Sequence, residues 1–134
     1  MSSIGAIALS GVNAAMLRIG AASSNITNAR STGPLPGASR AASQPAAYTP
    51  VDVVQTAIAG GGTQARAIPS PLASAEIYDP GAPYADSRGM VASPDIDLTG
   101  EIVELVTASH DFAANLLVMR IDSEMSARLL DLKA

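Results

Sequence analysis

Cysteine and tryptophan are absent from this 134-residue chain, and its aromatic residues are one phenylalanine, Phe112, and three tyrosines, Tyr48, Tyr78 and Tyr84. Without cysteine there is no disulfide, no thiolate metal site and no cysteine nucleophile, and the redox compartment stays open. Aromatic side chains bury the most area per residue, so their scarcity leaves little material for a large private core. Basic runs are lacking too. Arg18, Arg30, Arg40, Arg66, Arg88, Arg120, Arg128 and Lys133 are dispersed along a chain of net charge −4, which argues against nucleic acid and anionic membrane surfaces as partners. Polar residues and Arg18 interrupt the apolar stretches, so no membrane-spanning helix and no direct membrane insertion are expected. The stretch Met1 to Leu9 has no basic n-region and its apolar run stops at Ser10, so a cleaved secretory signal is not expected.

The chain is instead rich in alanine and other small residues. Its hydrophobic share, 48%, is ordinary, so what is unusual is side-chain size and not apolar character. Small side chains let helices approach closely, which suits a subunit whose core is completed by its neighbours. An Ala-rich small domain is the plainer alternative, and the length fits one domain at most.

The two ends carry the pattern. Ala8, Val12, Ala15, Ile19, Ala22 and Ile26 alternate spacings of four and three, and so do Ile102, Leu105, Ser109, Phe112, Leu116 and Met119. The mean repeat of 3.5 residues is that of a coiled coil. The first helix is expected over about Ser3 to Ala29, stopped by Ser31-Thr32-Gly33-Pro34. Gly5, Gly11 and Gly20 each weaken it by roughly 0.5–1 kcal/mol relative to alanine, so a close neighbouring backbone is expected at them. On that expectation Gly11→Leu blocks assembly and leaves the monomer soluble. The second helix is expected from Asp95 or Asp97, as N-cap, to about Leu132, with Glu101 and Glu104 in its first turns and Arg128 and Lys133 near its end. A second stripe, Val118, Ile121, Met125, Leu129 and Leu132, is rotated from the first. Two stripes suggest contacts on two sides; a stripe drifting round a curved monomeric helix is the alternative. Asn25 and Asn115 sit among small and apolar neighbours. A seam amide can fix helix register, because burying it unpaired costs on the order of 1–3 kcal/mol. An exposed Asn near a helix end is the other reading.

Between the helices, residues 31–47 are rich in Ser, Gly, Pro and Ala and read as a flexible loop. Residues 48–93 read as a small β-rich insert. Val51 to Ile58 and Gln64 to Ile68 flank Gly60-Gly61-Gly62 as a hairpin. Ala73 to Tyr78 and Gly89 to Ala92 are further short strands around the turn signal Asp79-Pro80-Gly81. The expected fold class is mainly α with a small β insert: residues 1–30 and 94–134 form long terminal helices that pack as a coiled-coil-like pair, with a short irregular β region between them.

No set of residues supports catalysis. Ser109, His110 and Asp111 are consecutive on a helix and point about 100° apart, so they cannot converge on a substrate. Asp95 and Asp97 lack further ligands for a metal, and capping accounts for them better. The glycine triplet lacks the Gly-Lys-Ser/Thr and helix of a phosphate cradle. No catalytic residue, no metal, no cofactor and no small-molecule substrate is expected.

Three motifs in order carry a resemblance. Ala8-Leu9-Ser10-Gly11-Val12-Asn13-Ala14-Ala15 with Ser24-Asn25-Ile26-Thr27-Asn28-Ala29 is similar to the signature of flagellar rod and hook axial proteins. Tyr78-Asp79-Pro80-Gly81-Ala82-Pro83-Tyr84-Ala85-Asp86, then Gly89-Met90-Val91, resembles the stretch typical of one rod subunit. Asp95-Ile96-Asp97-Leu98, Glu101-Ile102-Val103 and Phe112-Ala113-Ala114-Asn115 resemble the terminal helix. Together they resemble the family of bacterial flagellar basal-body rod proteins of the FlgC type. Thr27 stands where the family usually has Ala, and Phe112 where it usually has Tyr. The resemblance implies a structural subunit that polymerises into the proximal rod, the drive-shaft that transmits motor torque. It also implies export through the flagellar type III apparatus without signal cleavage, a periplasmic basal-body location, and other copies of itself and other rod proteins as partners. The expected subunit-interface residues are Ala8, Gly11, Val12, Ala15, Ile19, Ala22, Asn25, Ile26, Ile102, Leu105, Phe112, Asn115, Leu116, Met119, Ile121, Met125 and Leu129. A paralogous rod or hook subunit and a soluble helical-hairpin binding module are the alternatives.

Overall fold

The computed structural model describes residues 3–37, 46–71 and 74–131. In chain order it holds α1 (Ser3–Asn28), β1 (Val51–Ala57), β2 (Thr63–Pro69), β3 (Ala75–Tyr78), β4 (Met90–Ser93) and α2 (Leu98–Asp131). Both long helices and all four strands were legible in the sequence. The proposed helix end at Leu132, the side chain of Lys133 and the strand start at Ala73 lie outside the described residues.

The helices end where local chemistry ends them. Asp97 is the N-cap of α2: its carboxylate accepts from the Thr99 amide at 3.1 Å and its carbonyl accepts from the Glu101 amide at 2.9 Å. Asp95 has no such role. At the other end of the pair, the Ser31 amide and hydroxyl both donate to the Asn28 carbonyl, which closes α1 just before Gly33-Pro34.

The strands form two separate antiparallel pairs and not one sheet. In the first, Val54 lies opposite Arg66, and Gly60-Gly61-Gly62 turns the chain with φ of +93°, +98° and +96°, which only glycine adopts without strain. This hairpin lies along α1. Its tip is held where the Thr63 amide donates to the Ser10 hydroxyl at 3.0 Å, and its base where Asn25 grips both polar groups of the Val51 backbone. Fifteen helical residues separate Ser10 from Asn25, roughly 22 Å, which is about the span of a seven-residue strand. A Cβ on Gly61 would meet Ile7 at 2.8 Å and one on Gly62 would meet Ser10 at 2.6 Å, so the tip fits only as glycine.

The second pair, β3 with β4, is joined by the Tyr78 to Gly89 turn. Asp86 organises it. Its carboxylate accepts from the Met90 amide at 2.9 Å, the Arg88 amide at 2.8 Å and the Arg88 guanidinium at 2.9 Å. Within the stretch read as a flexible loop, Gly33 is tied down: it exchanges both backbone hydrogen bonds with Ala92, at 3.0 and 2.9 Å, and a Cβ there would strike the backbone of Ala46 and Ala47. The Tyr84 hydroxyl shares a 2.5 Å hydrogen bond with the Thr32 hydroxyl, so the turn and the exit of α1 form one knot.

The Met90 amide above all, then Arg88, holds the Asp86 carboxyl below its ordinary range. A depressed carboxylate stabilises the fold above its ordinary value and loses that contribution as the pH falls through the folded value. Below about pH 4 the Met90 and Arg88 amides are therefore expected to lose protection from hydrogen exchange before the helices do. In Asp86→Asn these amides are expected to be weakly protected at every pH.

Candidate functional site: the seam between the terminal helices

The two helices run antiparallel, since residues rising along α1 meet residues falling along α2: Gly11 faces Asn115, Arg18 faces Asp111 and Glu104, and Asn25 faces Glu101. The α1 side of the seam is close to the sequence expectation. Ala8, Val12, Ala15, Ala22 and Asn25 are buried, and Gly11, Ile19 and Ile26 are half-buried.

The α2 side is different. Leu105, Phe112, Asn115 and Met119 are half-buried on the seam, but Ile102, Ser109 and Leu116 are exposed. Their places are taken one residue earlier, by Glu101, Ala108 and Asn115, with Ala108 fully buried. Ile121, Met125 and Leu129 are exposed as well. The physical reason is that small residues of α1 face polar residues of α2, and the polar set decides the rotation of α2. The missed signal was the spacing of Glu101, Glu104, Ala108, Asp111 and Asn115, which alternates three and four like any seam but is mostly charged or polar, with Asp122 one heptad beyond Asn115.

Among the described residues, Arg18, Asn25 and Asn115 mark this seam. Arg18 grips Glu104 through two nitrogens, Nε to Oε1 at 2.5 Å and Nη2 to Oε2 at 3.1 Å, and reaches Asp111 through Nη1 at 2.6 Å. Glu104, then Asp111, raises its already high pKa, so it stays charged at every pH the fold survives. Asn25, 1% exposed, makes four bonds. Nδ2 donates to the Val51 carbonyl at 2.9 Å and to Glu101 Oε1 at 2.7 Å, and Oδ1 accepts from the Tyr48 hydroxyl at 2.9 Å and the Val51 amide at 3.0 Å. The reading of Asn25 as an exposed helix-end residue is thereby overturned. Asn115 donates to the Asp111 carbonyl at 2.8 Å and lies against Gly11.

Burial pushes the Glu101 carboxyl up, the Asn25 amide opposes this, and Asp52 and Glu104 reinforce it. A raised carboxylate weakens the fold as the pH rises through its folded value, the opposite sign to Asp86. Arg18→Met keeps the length of the stem and removes the fork. It is expected to lower stability by about 1 kcal/mol at low salt, because both acidic partners are more than a third exposed and screened by solvent. Urea denaturation at two salt concentrations checks this: the difference from the parent chain shrinks as salt rises.

The expected close approach at the three glycines holds at Gly11, against a side chain and not a backbone. Gly5 is buried, whereas Gly20 is exposed with nothing within 4 Å. His110 is exposed, Ser109 donates to the Leu105 carbonyl and Asp111 is engaged by Arg18, so the three consecutive residues do not converge. Among the described residues no group of acidic or histidine side chains is arranged to hold a metal. By length and composition both helices would pass for membrane spans, which corrects the expectation that interrupting polar residues exclude this. In α1 the apolar stretch is a packing surface for α2 and the hairpin, with Arg18 engaged inside it.

A paired-helix stem, small on one side of its seam and polar on the other, with large apolar residues turned outward, defines an assembly subunit. No family model matches the chain. Among curated proteins it is similar to the flagellar basal-body rod protein FlgC of Escherichia coli O6:H1, 35% identical over 94% of this chain and 92% of the relative, and to that of Salmonella typhimurium LT2 at the same identity and coverage. The FlgC of Agrobacterium fabrum is 31% identical over 98% of this chain and 94% of its own. The chain belongs to the FlgC family of flagellar basal-body rod proteins and is a structural subunit of the rod.

Proposed function

We propose that this subunit polymerises in the proximal part of the rod, in the periplasm, where it transmits motor torque as part of the drive-shaft. In this reading it reaches the rod through the flagellar type III export apparatus without signal cleavage, packs against other copies of itself and other rod proteins, and catalyses nothing. Residues 1–30 and 94–134 form one assembly unit. Residues 31–47 link it to the insert, 48–93, which rides on the outside.

One observation carries this reading. The centre of the in-chain seam is mostly small and polar residues, while Ile102, Leu116, Ile121, Met125 and Leu129 stay 43–66% exposed. An apolar surface of that extent on one helix needs further helices to cover it. Ile19, Ile26, Leu105, Phe112 and Met119 are half-buried in the seam and reach its rim. Torque then passes through many small interfaces loaded in parallel, and small residues allow the close packing that resists shear. The hairpin, clamped at Ser10 and Asn25, stiffens α1 against rotation.

Mass spectrometry of purified hook–basal bodies from the source organism tests this. The chain is expected there in several copies per structure. Its absence from intact basal bodies would move it to an accessory role, and recovery as a monodisperse complex with one soluble partner would favour the helical-hairpin module.

A further inference from the structure

The β1–β2 hairpin is held at its two ends and by little between them. No residue from Val51 to Pro69 is buried, and the turn that touches α1, Gly61 and Gly62 against Ile7 and Ser10, brings no side chain of its own. Leaving α1 therefore costs the hairpin little apolar burial. The two ends are unequal. At the base Pro50 is buried, the Ser70 amide donates to its carbonyl at 2.8 Å, and the buried Asn25 amide makes its four bonds to Val51, Tyr48 and Glu101. At the tip the hold on α1 is the 3.0 Å bond from the Thr63 amide to the half-buried Ser10 hydroxyl. That bond stands between two clefts, of about 290 and 450 Å³, both lined by Ser10, Ala14 and Thr63. A third cleft, of about 250 Å³, flanks the base and is lined by Ala22 and Val51.

We propose that the hairpin is a strap that releases α1 at its tip and swings on its base, with the Ser10–Thr63 bond as the latch and Asn25 as the pivot. Release at the tip strands no buried polar group. The Ser10 hydroxyl keeps its own 2.6 Å bond to the Ile7 carbonyl, and the Thr63 amide passes to water. Release at the base instead leaves the Asn25 amide, 1% exposed, without its Val51 partners, which is the costly kind of loss. The swing opens the 290 Å³ cleft, where Arg18, Asp111 and Asn115 cross the seam, so water screens the Arg18–Asp111 pair when the strap is open and less when it is closed. Closed, the strap stiffens α1; open, it leaves the first half of α1 held by α2 alone. The device belongs to the single chain and does not depend on the rod assignment.

Native-state hydrogen exchange on the purified full chain reads both ends directly, because the Thr63 and Val51 amides are the donors at the latch and at the pivot. The Thr63 amide is expected to be about a hundredfold less protected than the Val51 amide, and its exchange should respond little to low urea, since a local opening exposes little surface. Thiol labelling supplies a second readout in a chain that has no cysteine of its own. Ala14, 3% exposed, lines both clefts at the tip, and Ala22, 1% exposed, lines the one at the base. Adding Ser10→Ala is expected to speed labelling of Ala14→Cys by about fivefold to tenfold and to leave Ala22→Cys unchanged. Equal protection and equal urea dependence at the two amides would overturn the proposal, because the hairpin would then leave α1 in one step. An unprotected Val51 amide would overturn it too, since no pivot would remain, as would labelling that rises at both thiols together or at neither. Each of these outcomes leaves the rod assignment standing.

Discussion

Asn25→Ala is expected to lower stability by about 3 kcal/mol, and the loss should appear as a lower urea midpoint with an unchanged slope. Four hydrogen bonds converge on this amide from three parts of the chain: Tyr48 from the segment entering the hairpin, both polar groups of Val51 from β1, and Glu101 from α2. Truncation leaves all of them in a place where Asn25 is 1% exposed, and an unsatisfied buried polar group costs about 1–3 kcal/mol. The Glu101 carboxylate suffers most, since burial already disfavours its charge and Asn25 is the hydrogen bond that offsets this. Asn25→Asp tests the same point by another route. It retains an acceptor for Val51 and Tyr48 but sets a second carboxylate against Glu101, so its deficit should exceed that of Asn25→Ala at neutral pH and shrink as the pH falls and one carboxyl takes up a proton. Adding Glu101→Gln to the Asn25→Asp variant should recover part of the loss. Equal deficits at pH 4.5 and 7.5 would show that the carboxylate pair is not the cause.

The role of Asn25 explains how far the sequence could be read. Element type was legible because it rests on local rules: the capping carboxylate of Asp97, the stop after Asn28, the positive-φ glycines between β1 and β2, and the helical repeat at both ends. The rotation of α2 was not legible, because it is decided across the seam. The apolar repeat through Ile102, Leu116 and Met119 is genuine, but most of it belongs to surfaces that this chain does not cover. The rule that apolar residues face inward fails when the interior is completed by other molecules. Arg18 shows the same limit. It reads as an interruption of an apolar helix, yet its stem lies along α1 and its fork reaches two carboxylates 86 and 93 residues away. The β1–β2 hairpin was legible from its glycine turn, but the separate pairing of β3 with β4 was hidden, because strand signals alone fix neither partner nor position. The pairing of β4 depends on a backbone contact with Gly33 from outside the insert.

Gly11→Leu is expected to have the largest effect of any single change on the stem, a loss of about 3 kcal/mol or more from forcing the helices apart. A Cβ at this position would lie 2.6 Å from Asn115 Cγ and 2.8 Å from its Nδ2, closer than real side chains approach. Asn115 moves aside only by giving up the bond that its amide donates to the Asp111 main-chain carbonyl at 2.8 Å. The sequence suggested that this change would spare the monomer and block only assembly. The structure reverses that expectation, since the obstacle is within the chain. A double-mutant cycle separates the two causes. Gly11→Ala should be destabilising alone and nearly neutral once Asn115→Ala has removed the clash, a coupling of about 1–2 kcal/mol. Gly20 supplies the contrast on the same helix. With nothing within 4 Å, Gly20→Ala should stabilise the isolated chain by about 0.5–1 kcal/mol through helix propensity. If incorporation into basal bodies nevertheless falls, Gly20 is kept small by a neighbouring subunit. The two glycines then divide the labour of α1: Gly11 lets the chain close on itself, and Gly20 leaves room for the next molecule.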